Sequence, residues 1–195
     1  MYLGTQPNDI KKNIGVYSPS EILQLVKDGN WGGSLELIAE ASFSTSSAID
    51  ILSINEDIYD VHFLQLIDIV GSTSNNIRIQ YYESGVLETA SVYRKAEKFG
   101  NGSGTFGEGR TTGTSSMAIL NTDASSSGNA YIYFYNLGDS SKYSFHTMHS
   151  ITSDLVQFQW GGGVLPQAST VDGIRFVPST GTLTGSYKIY GIKQT

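Results

Sequence analysis

The strongest pattern in the sequence is Tyr131-Ile132-Tyr133-Phe134-Tyr135, a run in which every second residue is a tyrosine. Side chains on a β-strand point alternately to opposite faces, so Ile132 and Phe134 are predicted to share one face and the tyrosines the other. Similar alternating stretches lie close by, at 143–150, 155–160, 174–177 and 183–192. This succession of short, aromatic-rich strands predicts an antiparallel β-sandwich or barrel.

The preceding part of the chain predicts further strands at 35–40, 49–54, 59–70, 77–81, 91–94 and 117–120. In the strand at 59–70 both faces carry apolar residues, for example Phe63 on one and Leu64 on the other, so we expect a central strand covered on both sides. The segments 99–116 and 121–129 are poor in apolar residues, the first being very rich in glycine, and are predicted to be surface loops.

The first 30 residues differ from the rest. Ser18-Pro19-Ser20-Glu21 is a capping box with proline at the first helical position, and it predicts a short helix. Its apolar stripe contains Ile22, Leu25 and Val26, and Gly29 is placed to end it. A helix of about ten residues is marginal alone in water, so it must dock. Either it closes an open end of the sandwich, or residues 1–30 form an arm anchored on a partner subunit by this stripe, followed by a β-sandwich domain at 31–195.

Composition limits the possible functions. A chain of 195 residues is long enough for one well-packed domain, and the absence of cysteine excludes disulfides and thiolate chemistry. A formal net charge of −6 argues against nucleic acid or an anionic membrane as a partner. No apolar stretch is long enough to span a bilayer, and Met1-Tyr2-Leu3-Gly4 does not resemble the start of a signal peptide.

No motif for catalysis emerges. Gly102-Ser103-Gly104-Thr105-Phe106-Gly107 matches the glycine fingerprint of dinucleotide sites, but the residues after it cannot begin an amphipathic helix. His146 and His149 are three apart on a predicted strand and so face opposite ways, which with His62 elsewhere does not predict a metal site. We therefore predict a protein that is not an enzyme, with no catalytic residue, cofactor or metal.

Tyrosine is the one signal for surface chemistry, with 12 in the chain. Three interpretations of Tyr131, Tyr133 and Tyr135 remain open. Their face is buried against another strand layer, meets a neighbouring subunit, or serves as a stacking platform for a glycan.

Several stretches resemble a module of virion structural proteins from tailed phages, especially phages of marine cyanobacteria. The similarity is spread over residues 31–193 and rests on core and turn residues in five segments: Trp31-Gly32-Gly33-Ser34-Leu35-Glu36-Leu37-Ile38, Tyr59-Asp60-Val61-His62-Phe63-Leu64, Tyr131-Ile132-Tyr133-Phe134-Tyr135-Asn136-Leu137-Gly138, Ser169-Thr170-Val171-Asp172-Gly173-Ile174-Arg175-Phe176 and Gly185-Ser186-Tyr187-Lys188-Ile189-Tyr190-Gly191-Ile192-Lys193. The opening Met1-Tyr2-Leu3-Gly4-Thr5-Gln6-Pro7 is similar to the starts of such proteins.

The resemblance implies a jelly-roll-like fold and a place in the virion, reached after assembly in the host cytoplasm. It carries no catalytic residue over. We expect a capsid decoration protein on the particle exterior, partnered by other virion proteins of the capsid or tail and by copies of itself, with a trimer as the specific expectation. The alternative is a receptor-binding tail-fibre head that recognises host glycans through the tyrosine face or the glycine-rich segment.

Overall fold

The computed structural model describes residues 18–27, 35–153 and 157–192. The chain divides into two units, Met1–Ser34 and Leu35–Thr195. The first contains one described helix, and the second contains all the described strands. The prediction of an all-β, antiparallel sandwich with a short N-terminal helix is confirmed.

Helix α1 spans Pro19–Lys27. Its capping box is formed as predicted, because the Ser18 backbone N–H donates to Glu21 Oε2 at 2.7 Å and the Glu21 N–H donates to the Ser18 hydroxyl at 3.3 Å. The first of these bonds lowers the pKa of the Glu21 carboxyl. The side chains of Ile22, Leu25 and Val26 lie outside the described parts of the structure, so their role as anchors stays a prediction.

Thirteen strands follow within the described residues: β1 Leu35–Ser46, β2 Ile49–Ile51, β3 Val61–Gly71, β4 Asn75–Glu83, β5 Val86–Leu87, β6 Tyr93–Gly100, β7 Phe106–Thr114, β8 Met117–Thr122, β9 Ser127–Tyr135, β10 Ser144–Thr152, β11 Phe158–Leu165, β12 Val171–Pro178 and β13 Leu183–Ile192.

The strands form two sheets, and every pairing in them is antiparallel. The large sheet has eight strands in the order β1-β13-β3-β9-β10-β11-β6-β7. The small sheet has the order β2-β12-β4-β5, and β8 also pairs with β4. The first and last of the described strands are therefore neighbours at one side of the large sheet.

The core is a single cluster to which both sheets contribute alternate residues. From the large sheet come Leu64, Ile132, Phe134, Met148 and Ile189 among others, and from the small sheet Ile51, Ile79, Tyr81 and Phe176. Ile132 and Phe134 are fully buried, each contributing roughly 2 kcal/mol through removal of its apolar surface from water.

Alternation along β3 changes phase at Asp68. His62, Leu64 and Leu66 face the core, while Phe63 faces away from it and is half-buried. Asp68 has a φ of 50°, and the register against β9 shifts between Leu66 and Ile69, so Ile69 also turns to the core. The strand is central, as expected, but no described strand covers its second face.

The two segments predicted to be loops contain strands. The glycine-rich region forms the hairpin of β6 and β7, which lies at one side of the large sheet. Gly107 and Gly109 of β7 pack closely on the side chains of Phe99 and Glu97, where a Cβ atom would clash. Low apolar content therefore reflects a close-packed edge hairpin and not a loop. Likewise, β8 extends to Thr122 and β9 begins at Ser127.

Candidate functional site: the outer face of the large sheet

Tyr131, Tyr133 and Tyr135 point away from the core, on the side of the large sheet opposite to the small sheet. We call the residues that point to this side the outer face. Strand β9 lies between β3 and β10 near the middle of the sheet, and no strand in the described ranges covers it there. The structure thus places the three tyrosines together on an open surface, with Tyr131 exposed and the other two half-buried.

Rings from neighbouring strands extend this surface. The ring of Phe63 on β3 lies 4.9 Å from that of Tyr133 and 6.0 Å from that of Tyr190 on β13, measured between centroids. The ring of Tyr131 stacks on His149 of β10 at 4.9 Å and an interplanar angle of 14°. Contacts of this kind order aromatic side chains before any partner arrives.

Apolar groups continue across the outer face from strand to strand. The pairing places Leu37, Tyr190, Phe63 and Tyr133 in one row across β1, β13, β3 and β9. Several large apolar side chains of the face remain substantially open to solvent: Leu37 at 52%, Tyr131 at 43%, Phe145 at 42% and Trp160 at 41%. An apolar surface that continues over many strands is typical of an interaction site.

Beyond Tyr133 the same row continues with residues that have small side chains. Thr147, Gly162 and Ala96 are direct neighbours across β10, β11 and β6. These residues form the floor of an open depression of about 910 Å³. Phe145 and Val164 lie beside it, in the next row.

Two arginines border this depression. Arg94 and Arg110 are exposed and line it, and neither forms an ion pair within the described residues. Lys98 of the outer face is paired with Glu108 at 2.5 Å. Lys95 points to the opposite side of β6 and meets Glu97 at 2.5 Å. The depression is thus locally cationic on a chain with a net charge of −6.

The histidines do not form a site together. His146 is buried on the core side of β10, where its Nδ1 lies 2.9 Å from the Tyr81 hydroxyl, whereas His149 faces outward. Burial first, and the nearby charge of Lys95 second, lower the pKa of His146 to about 4. His62 is also buried, with Nε2 2.8 Å from the Ile54 carbonyl oxygen, and burial lowers its pKa.

Over residues 18–27, 35–153 and 157–192, no group of three or more histidine or carboxylate side chains is placed to hold a metal ion. The described helix is too short and too polar to cross a membrane.

Sequence reasoning located the three tyrosines but missed most of the outer face. Phe63, Tyr190, Leu37 and Arg110 come from strands that are far apart in sequence, and only the strand order brings them together. A local signal did exist for Tyr190, because 183–192 alternates as clearly as the tyrosine run.

No family model matches the sequence, and no curated protein matches it. Among solved structures, the chain is similar to a human SPRY domain at 12% identity and a TM-score of 0.29, covering 84% of this chain and 89% of that one. It is also similar to a fructofuranosidase from Schwanniomyces occidentalis, complexed with fructosylnystose, at 6% identity and a TM-score of 0.20. That alignment covers 84% of this chain and 35% of the enzyme, so the chain spans about a third of its length.

Proposed function

We propose that the chain is a non-enzymatic structural protein of a virus particle, displayed on the exterior as a capsid decoration protein. We propose further that copies of the chain associate through the outer face of the large sheet. The observation that supports association of copies is the row of Leu37, Tyr190, Phe63 and Tyr133. This row is apolar, and no described strand covers it. The resemblance to virion modules of tailed phages supplies the location.

The composition of the face favours a protein partner. Interface cores are rich in aromatic side chains and poor in lysine and carboxylates, and this row contains three aromatic rings, one leucine and no charge. The rings already contact one another, so little side-chain freedom is lost on association. Copies of one chain usually associate with closed cyclic symmetry, and a trimer is the form we propose.

The test is the mass of the purified protein by light scattering over a wide concentration range. A trimer has a mass of about 63 kDa, three times the 21.1 kDa chain. Leu37→Lys places a charge in the row and is expected to give monomers. Val86→Lys is the matched control, because Val86 is even more open to solvent than Leu37 but lies on β5 of the small sheet. A wild type that stays monomeric at every concentration contradicts self-association.

A receptor-binding tail-fibre head is the second candidate, and the depression beside Phe145 favours it. Aromatic rings next to arginines that form no ion pair with any described residue suit a saccharide carrying negative charge. Copy number in purified particles separates the two candidates. A decoration protein is present in many copies over the capsid, whereas a fibre head is present in few copies at the tail.

A further inference from the structure

Strand β7 forms one edge of the large sheet, and no described strand pairs with its second side. An exposed edge can pair with another chain, and proteins commonly prevent this with short or irregular strands and with charged side chains. The opposite edge, β1, has both kinds of protection, because its pairing with β13 contains two register shifts and its only charges, Glu36 and Glu40, are acidic. By contrast, β7 pairs regularly with β6 from Phe106 to Thr111.

The backbone groups of alternate β7 residues face the free edge. In an antiparallel ladder, hydrogen-bonded pairs of residues alternate with non-bonded pairs. The turn of the hairpin contains a bond from the Asn101 N–H to the Thr105 carbonyl oxygen at 3.0 Å. Two and four residues further along β7, Gly107 and Gly109 therefore bond to β6 as well. The N–H and C=O groups that point to the free edge are those of Phe106, Glu108 and Arg110.

The charges of β7 are complementary to a second copy of the same strand. Glu108 and Arg110 lie two residues apart on the outer face, and both are exposed. Glu108 is paired with Lys98 at 2.5 Å, whereas Arg110 forms no ion pair with any described residue. If an antiparallel copy places its Arg110 opposite Glu108, two-fold symmetry also places its Glu108 opposite Arg110. One alignment thus brings two pairs of opposite charges together.

Backbone and charge select the same alignment. Glu108 and Arg110 both direct their backbone groups to the free edge, so each can exchange two hydrogen bonds with the residue opposite. A shift of two residues either way would place Glu108 opposite its own copy, or Arg110 opposite its own copy, and like charges directly opposite are destabilising. In the favoured alignment the two-fold axis passes at Gly109, where the strands approach most closely and no side chain intervenes.

The inner side of the edge is open to such a partner. Gly107 and Gly109 carry no side chain there. The carboxylate of Glu97 lies over Gly109, and it is neutralised by Lys95 Nζ at 2.5 Å. A second strand therefore meets no unpaired charge on this side.

We propose that β7 pairs antiparallel with β7 of a second copy, about a two-fold axis at Gly109, with Glu108 and Arg110 forming two intermolecular ion pairs. The contact closes after two copies, because each copy uses its edge once. One strand buries much less than the roughly 1,200–2,000 Å² of a stable interface, so a dissociation constant of about 1 mM is expected. The contact uses a strand edge and not the outer face, so it is independent of the association proposed above. At micromolar concentrations, where light scattering tests that association, the edge contact is dissociated and the two proposals fail separately.

The test is sedimentation equilibrium of the full chain at concentrations up to about 2 mM and at low salt, above the expected dissociation constant. Every protein carries Leu37→Lys, which suppresses association through the outer face. The weight-average mass of this parent is expected to rise with concentration from 21.1 kDa toward about 42 kDa. Glu108→Arg and Arg110→Glu each replace attraction by repulsion, and each is expected to weaken dimerisation by about tenfold or more.

An equimolar mixture of these two variants tests the alignment. In a mixed dimer, positions 108 and 110 again face opposite charges at both sites, so the mixture is expected to associate like the parent. The double variant Glu108→Arg/Arg110→Glu is expected to do the same. Glu40→Arg is the control, because Glu40 is exposed and pairs with Lys188 as Glu108 does with Lys98, but it lies on β1. It is expected to leave dimerisation unchanged.

Three results overturn the proposal. The first is a parent that stays monomeric, or one whose association survives both single exchanges. The second is failure of both the mixture and the double variant to associate when the parent does. The third is loss of association in Glu40→Arg, which would place the contact on β1.

Discussion

Tyr133 is half-buried on the outer face against Phe63, and its hydroxyl makes no hydrogen bond to any described residue. Its ring therefore contributes packing, while its hydroxyl contributes little. We predict that Tyr133→Ala lowers the free energy of unfolding by about 2 kcal/mol or weakens association, and that Tyr133→Phe changes neither. Urea unfolding and light scattering measure the two effects. Specific binding of a host polysaccharide that disappears in Tyr133→Ala, with stability unchanged, would favour the fibre-head candidate instead.

Burial of His146 makes the free energy of unfolding depend on pH. Its pKa of about 4 in the folded protein lies below its ordinary value of 6.5, so unfolding takes up a proton between these two pH values. The stabilisation is complete above pH 6.5 and is lost as the pH falls toward 4. From pH 7.5 to 5.5 we predict that the wild type loses about 1.4 kcal/mol more than His146→Gln, measured by urea unfolding.

The comparison of the wild type with His146→Gln isolates the contribution of one titratable group. Burial also lowers the pKa of His62, but His62 is present in both proteins, so its contribution cancels in the difference. Carboxyl groups with a lowered pKa, such as Asp50 beside Arg175, lose their stabilising effect only at lower pH. Equal losses in the two proteins would show that His146 is not held neutral by the fold.

At the scale of elements, β11 depends on glycine for its packing. A Cβ atom at Gly163 would lie 2.4 Å from Met117 Sδ and 3.0 Å from the Arg94 carbonyl oxygen. At Gly113 of β7 the nearest atom would be 3.4 Å away. We predict that Gly163→Ala lowers the free energy of unfolding by about 2 kcal/mol, whereas Gly113→Ala changes it by less than about 0.5 kcal/mol. Denaturant midpoints at equal slope give both values, and equal effects would contradict this packing.

The elements also show what sequence can and cannot predict. Alternation identified β9 and β13, because the burial of Ile132 and Tyr187 follows directly from the two-residue repeat of a strand. The hairpin of β6 and β7 was missed, since glycines that allow close contact with Phe99 and Glu97 look in sequence like a loop.

For the whole molecule, the division into two units predicts the result of truncation. The unit Leu35–Thr195 contains every described strand and the core cluster. We predict that removal of residues 1–29 leaves a folded, soluble β domain that no longer joins particles. Circular dichroism and co-sedimentation with particles measure the two properties. If the truncated protein were unfolded, the helix would be part of the core. If the truncated protein still joined particles normally, residues 1–29 would have no role in assembly.

The pairing of β1 with β13 also has a consequence for the order of folding. Leu35 pairs with Ile192, so β1 is made first among the described strands and receives its one described neighbour in the large sheet last. During synthesis on the ribosome β1 must therefore remain unpaired until nearly the entire domain has emerged. Until then Ile38 and Phe43, which pack against the core in the folded protein, stay exposed. Contacts this distant in sequence form slowly, and the waiting strand is where a chaperone would bind or aggregation would begin.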